Sequence, residues 1–274
     1  MYKDSWYNSG WSVKLVFSIH LHVKDIKILY MIQDFFGIGS ITINKDTVNY
    51  QVTSMKDMLS VIEHFNKYPL ITQKQIDFLL FTKAYDLIKN KSYLTDLQSL
   101  VNIRASMNKG LPERLTLEFP ETNPVIIPEF ISILNKLFEM NYWIAGFVTG
   151  EGCFFVKTSQ SKTHKLGLSV GLNFIVVQNI RDIGIMEEIK TIFDCGSITI
   201  NESSAVVRYS VSKLSDVQNK IIPFLDKYSI IGEKVKDYED FKKVSNLMTN
   251  KSHLTKEGLD EILAIKSKMN FNRK

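Results

Sequence analysis

Two long stretches of this chain are copies of one another, and that duplication constrains the fold more than any other feature. Lys67–Thr95 reads KYPLITQKQIDFLLFTKAYDLIKNKSYLT and Lys227–Thr255 reads KYSIIGEKVKDYEDFKKVSNLMTNKSHLT, aligned without a gap at an offset of 160. Upstream, Gly39–Asn44 (GSITIN) recurs as Gly196–Asn201, and Val13-x-Leu-x-Phe17 recurs as Val170-x-Leu-x-Phe174, both at an offset of 157. Downstream, Met107-Asn108 recurs as Met269-Asn270. A period near 160 residues is too long for a solenoid, so the chain folds as two similar lobes rather than an array.

Each lobe carries the same predicted elements. Val13–Ile19 and Val170–Val176 alternate as strands do. Asp25–Phe36 and Asp182–Phe193 place apolar residues at helical spacing behind an Asp suited to an N-cap, and Gly39 and Gly196 are expected to end those helices. Two strands follow, Ser40–Asn44 with Val48–Thr53 and Ser197–Asn201 with Val206–Ser212. Helices over about 55–65, 73–90 and up to Met107 complete the first lobe. This order is α+β, an antiparallel sheet covered by helices on one face. Residues 1–108 form the first repeat, 109–128, with four prolines, a linker, and 129–274 the second repeat, opening with an apolar stripe of Phe130, Ile131, Leu134, Leu137 and Phe138.

Composition narrows the class. With 45% hydrophobic and 23% charged residues the 274-residue chain is globular. No apolar run reaches the roughly 18 residues of a membrane span, and the N-terminus lacks the apolar core of a secretory signal. Cys153 and Cys195 are too few for a disulfide framework. Ala and Arg number only 5 each against 29 Lys and 17 Phe, which points to an A/T-rich coding genome such as an organelle's. The net charge of +5 therefore carries modest weight as a nucleic-acid signal.

Early in the second repeat, after that apolar stripe, lies Trp143-Ile-Ala-Gly-Phe-Val-Thr-Gly-Glu-Gly-Cys-Phe154. Gly146 and Gly150 share one helix face beside Ala145 and Thr149, at a cost in helix propensity of about 1 kcal/mol per glycine. Close approach of another backbone is one reason for such a stripe, a core helix that happens to hold two glycines is the other, and Glu151 sits at its end. Ile144–Gly152 resembles the nine-residue LAGLIDADG motif position for position. With the two repeats, nearly the whole chain is similar to single-chain LAGLIDADG homing endonucleases of fungal mitochondrial introns.

The resemblance implies two αββαββα lobes related by a pseudo-two-fold axis, with curved antiparallel sheets in the DNA major groove and motif helices packed at the axis. It implies a site-specific double-stranded DNA endonuclease that promotes intron mobility from the mitochondrion and works as a monomer at full length. Glu151 matches the acid that holds Mg2+ at a scissile phosphate, with the Gly150 carbonyl as an auxiliary ligand. An intron maturase binding its own intron RNA, or a DNA-binding remnant without catalysis, is the alternative for the same fold.

The sequence departs from the family pattern in two places. The counterpart of Glu151 at an offset of 157 would precede Met1, so the first lobe is expected to start in the connection between its first two strands, without its motif helix and first strand. Gly171 and Thr199 stand where relatives carry polar or basic pocket groups. Gly37-Ile-Gly39 reads as a helix C-cap, His20 and His22 as polar residues of one strand face, and His64 and His253 lack companion ligands. The expected DNA contacts are Lys157, Lys162, Lys165, Arg208 and Lys213 in the second lobe and Lys14 and Lys45 in the first, with Gln160, Ser169, Asn173, Asn201 and Ser203 reading bases.

Overall fold

A computed structural model describes residues 1–6, 10–128 and 140–273. The expected apolar stripe from Phe130 to Phe138 lies outside the described residues. The chain divides into two compact units, Met1–Ile133 and Leu134–Lys274.

Among the described residues of the second unit, helix α6 (Met140–Glu151) comes first and runs directly into strand β6 (Gly152–Gln160). Strand β7 (Leu168–Asn179), helix α7 (Ile183–Phe193), and strands β8 (Ser197–Asn201) and β9 (Val206–Val211) follow. The four strands form one antiparallel sheet in the order β6-β7-β9-β8. Helices α8 (Leu214–Asp216), α9 (Ile222–Lys227), α10 (Lys234–Thr249) and α11 (Lys256–Lys266) complete the unit. Strand alternation sends Phe154, Val156, Leu172, Phe174, Val176, Tyr209 and Val211 to the helix-covered face, where all are buried. Phe154 lies 5.6 Å from Phe174, 5.3 Å from Tyr238 and 5.4 Å from Phe241, which ties β6 to α10 through aromatic contacts.

The first unit repeats much of this plan with β1 (Tyr2–Lys3), β2 (Trp11–Ser12), β3 (Phe17–His22), α1 (Ile26–Phe36), β4 (Ser40–Asn44) and β5 (Thr47–Val52). Helices α2 (Met55–Lys67), α3 (Lys74–Lys89), α4 (Leu97–Ser106) and α5 (Glu113–Glu118) follow. Its three-stranded sheet has the order β3-β5-β4, and Val48, Tyr50, Val52 and Leu29 form its core with Met58, Val61 and Ile62 of α2.

The repeat offset drifts for identifiable reasons. The β8–β9 turn is two residues longer than the β4–β5 turn, so Tyr50 corresponds to Tyr209 at an offset of 159. A π-helical stretch, Val217–Ile221, then takes up one more residue between α8 and α9, which gives the offset of 160 for the copies that follow.

Several expectations need correction. The strand predicted over Val13–Ile19 is interrupted, because among the described residues Val13–Val16 has no neighbour to pair with, whereas β7 is continuous beside the nine residues of β6. Tyr2 and Lys3 pair with Ser12 and Trp11 in the register that joins Ser159 and Gln160 to Ser169 and Leu168. They are therefore strand residues, not part of a connecting loop. Asp25 and Asp182 make no side-chain cap hydrogen bond. A short 3-10 turn precedes each helix instead, capped by His22 Nδ1 accepting from the Lys24 N–H and by Asn179 Oδ1 accepting from the Arg181 N–H, both at 3.1 Å.

Helices α1 and α7 end at Gly37 and Asp194 in the left-handed region. Gly39 and Gly196 serve a different purpose: at φ +80° and +79°, a Cβ on either would stand 2.7 Å from the ring of Tyr50 or Tyr209. The predicted linker is partly folded onto the first unit, with Leu115 of α5 buried, Phe119 5.0 Å from Trp11 and the Ser106 hydroxyl donating to the Val125 carbonyl.

Candidate functional site

Helix α6 buries Ile144, Ala145 and Val148 and leaves Gly146, Gly150 and the terminal Glu151 exposed. The expected packing stripe is thus split. Ala145 faces the interior of its own unit, and the Thr149 hydroxyl donates to the Ala145 carbonyl and accepts from the Ile231 N–H. Nothing lies within 4 Å of a Cβ built on Gly146 or Gly150.

Glu151 places a carboxylate at the negative end of the helix dipole, an unfavourable position unless a cation answers it. Lys234, the first residue of α10, supplies one such cation: its ammonium donates to the Gly150 carbonyl at 2.8 Å and the Val148 carbonyl at 3.3 Å. Sequence reasoning missed this residue. Its signal was the repeated Lys at positions 74 and 234, the last residue of KYPLITQK and of KYSIIGEK.

Among the described residues no group of three His, Cys, Asp or Glu forms a metal cluster. The donor set at the end of α6 is one exposed carboxylate and the Gly150 carbonyl, which keeps a second lone pair after accepting from Lys234. Hard oxygen donors in this small number suit a cation such as Mg2+, which completes its shell with water and phosphate oxygens. Immediately beyond, burial pushes the Cys153 thiol up and keeps it neutral at pH 7.

The sheet face away from the helices is polar. The register sets Lys157 opposite Gly171, Ser159 opposite Ser169, and Arg208 between Val177 and Thr199. Of the expected contacts, Lys157, Ser169, Asn173, Asn201 and Arg208 share this open face. The basic groups looked for at Gly171 and Thr199 therefore stand directly across from them, one strand over. Lys162 and Lys165 project from the β6–β7 turn and Ser203 from the β8–β9 turn. Asn201 Oδ1 accepts from the Ser203 hydroxyl at 2.7 Å and the Ser204 N–H, so its oxygen closes its own turn. Asn173 Oδ1 is buried with no hydrogen-bond partner among the described residues.

Two expected contacts fall off the face. Gln160 has the strand parity of the core-facing Phe154 and Val156, and Lys213 stands at the start of α8, 3.8 Å from Asp216.

In the first unit Lys45 occupies the β4–β5 turn at φ +51°, and Lys14 lies exposed in the interrupted segment before β3. Its open face carries Ser18, His20, Asn49, Gln51 and Thr42, aligned across three strands. His20 was read from the sequence as a polar strand-face residue; the other four were missed because strand register, not composition, brings them together.

Comparison with known proteins agrees with this geometry. A profile of the LAGLIDADG endonuclease family matches residues 1–85 and 144–245. A protein of Neurospora crassa described as a probable intron-encoded endonuclease is 42% identical over 258 residues, covering 92% of this chain and 48% of that protein. The chain thus spans about half the length of this relative. I-SmaMI, a LAGLIDADG homing endonuclease solved with cleaved DNA, superposes with a TM-score of 0.93 at 40% identity, over 99% of this chain and 91% of that one. The same enzyme with uncleaved DNA and calcium ions gives 0.92 at 39% identity, over 98% and 92%. The chain belongs to the LAGLIDADG endonuclease family.

Proposed function

We propose that this chain binds a long duplex DNA target and hydrolyses a phosphodiester bond at the end of helix α6, as an intron-encoded homing endonuclease of a mitochondrial gene. The observation that carries the reading is the exposed Glu151 directly after the Gly150 carbonyl that the Lys234 ammonium holds, next to a sheet face bearing Lys157 and Arg208. The relatives support it: one is described as intron-encoded, and I-SmaMI has been captured with cleaved DNA and, separately, with calcium.

Lys157 and Arg208 bind backbone phosphates, and the serines and asparagines of the open face touch base edges. Glu151 and the Gly150 carbonyl would hold Mg2+ against a scissile phosphate. When bound there, such an ion activates the attacking water and neutralises charge on phosphoryl oxygens. Lys234 orients the Gly150 carbonyl and adds positive charge where the phosphate sits.

A strand-resolved assay tests the proposal. The chain is incubated with Mg2+ and a duplex of the uninterrupted exon junction of its host gene, labelled on each strand. The strand served by Glu151 should be cut, and Glu151→Gln should abolish that cut while DNA affinity stays within about threefold, since the carboxylate adds no phosphate contact of its own. A Glu151→Gln chain that cuts at the wild-type rate removes Glu151 from the mechanism. Binding of the intron RNA in preference to the duplex would favour the maturase reading.

A further inference from the structure

Each unit contains the same three side chains at corresponding places: Lys74, Asp77 and Asn108 in the first, Lys234, Asp237 and Asn270 in the second. Both asparagines adopt the left-handed conformation, at φ +52° and +56°. In both, the backbone N–H donates to the aspartate, Asn108 to Asp77 at 2.7 Å and Asn270 to Asp237 at 2.9 Å. The remaining contacts differ. In the first unit the triad closes on itself, with the Lys74 ammonium 3.4 Å from Asp77 and 3.1 Å from Asn108 Oδ1.

In the second unit the same groups open outward and grip the segment around Glu151 from both sides. Lys234 holds the Val148 and Gly150 carbonyls before it. Asn270 Nδ2 donates to the Phe154 carbonyl after it at 3.1 Å, and the Cys153 thiol lies 3.9 Å from Asn270 Oδ1. Asp237, which anchors Asn270, is itself fixed by two hydrogen bonds from the Arg273 guanidinium, at 3.0 and 2.8 Å. Lys234 and Asp237 are neighbours on one face of α10, so one rigid helix brackets the α6–β6 junction.

We propose that Asn270 is a positioning residue for the Glu151 site: its side-chain amide clamps the β6 edge at Phe154 and so fixes the junction that presents the carboxylate. The conformation alone does not call for asparagine. Glycine adopts a positive φ at no steric cost, yet both units place Asn there, and in the second the amide has a definite use. A hydrogen bond to a strand-edge carbonyl restrains the backbone three residues beyond Glu151, which is close enough to set the direction of its side chain. This role rests on the nuclease reading above, but the clamp itself can be measured without it.

The test compares Asn270→Gly and Asn270→Asp with the wild-type full chain. Glycine keeps the positive φ and the N–H to Asp237 but removes the amide, and aspartate keeps the shape but removes the donor. Amide hydrogen exchange across 152–156 should accelerate by about five- to tenfold in both variants, the loss of one ordinary hydrogen bond, while α7 is unchanged. The single-turnover rate of the strand cut by Glu151 should fall by a similar factor, with DNA affinity within about twofold. A merely structural residue would move stability and affinity together instead. Wild-type exchange over 152–156 in either variant overturns the clamp, and faster exchange with an unchanged cleavage rate overturns the positioning role. A wild-type chain that cuts nothing counts against the nuclease reading, and the exchange result then decides the clamp alone.

Discussion

His64 stands where the second unit has Phe224, and the two rings are held alike. The His64 ring is 5.0 Å from Phe36 at 74° and 5.1 Å from Tyr68 at 44°, while Phe224 is 4.8 Å from Phe193 at 73° and 5.0 Å from Tyr228 at 44°. The aromatic cage of the first unit therefore contains a titratable ring. Burial, and after it the charge of Lys67, pulls the His64 pKa below its ordinary value of 6.5. The unfolded chain then binds a proton more readily than the folded one. Stability from this group is complete above pH 6.5 and declines as the pH falls from 6.5 toward the lower folded pKa. His64→Phe copies the second unit's own solution and removes that dependence. Thermal unfolding at pH 5.5 should rise by about 2–4 °C in the variant, with a smaller difference at pH 8. An equal shift at both pH values would mean that the ring is not titrating in this range.

At the scale of elements, the junction of α6 and β6 depends on a glycine that the motif's helical face does not emphasise. Gly146 and Gly150 have open space around them, whereas a Cβ on Gly152 would stand 2.6 Å from the Val148 carbonyl oxygen and 2.7 Å from its Cγ1. Val148 is fully buried and its carbonyl already accepts from Lys234, so it has no room to yield. Gly152→Ala should therefore cost about 1–3 kcal/mol in urea unfolding, the range for overpacking a tight site. A neutral substitution would show that the junction relaxes freely. Element order and the duplication were legible in the sequence because each strand and helix carries its own periodicity. The drift in offset was visible too, although its cause, a lengthened turn and a π-helical residue, needs coordinates. The break at Val13–Val16 was not legible, since alternation marks a strand whether or not a neighbour pairs with it. Nor was Lys234, whose bond to Gly150 spans 84 residues of sequence and rests on the packing of α10 against β6.

For the molecule as a whole, a net charge of +5 leaves open whether DNA affinity comes from the general field or from particular phosphate contacts. The register of the second unit separates the two. Lys157 and Arg208 project from the open sheet face, set across from Gly171 and Thr199. Lys243 instead lies on α10, 3.2 Å from Asp240, on a helix that packs against the opposite, covered face. Removing any one of them changes the net charge equally. Beyond a Debye length of about 10 Å at 0.1 M salt the general field is largely screened. Only a side chain near a phosphate releases a condensed counterion when it binds, and each such contact contributes about 0.9 to the slope of log affinity against log salt. Lys157→Ala and Arg208→Ala should each lower that slope by about one, and the double variant by about two, whereas Lys243→Ala should leave it unchanged. The measurement is fluorescence anisotropy on the exon-junction duplex from 50 to 300 mM KCl. If Lys243→Ala lowers the slope as much as Arg208→Ala does, binding follows net charge, and the open sheet is not the surface that meets DNA.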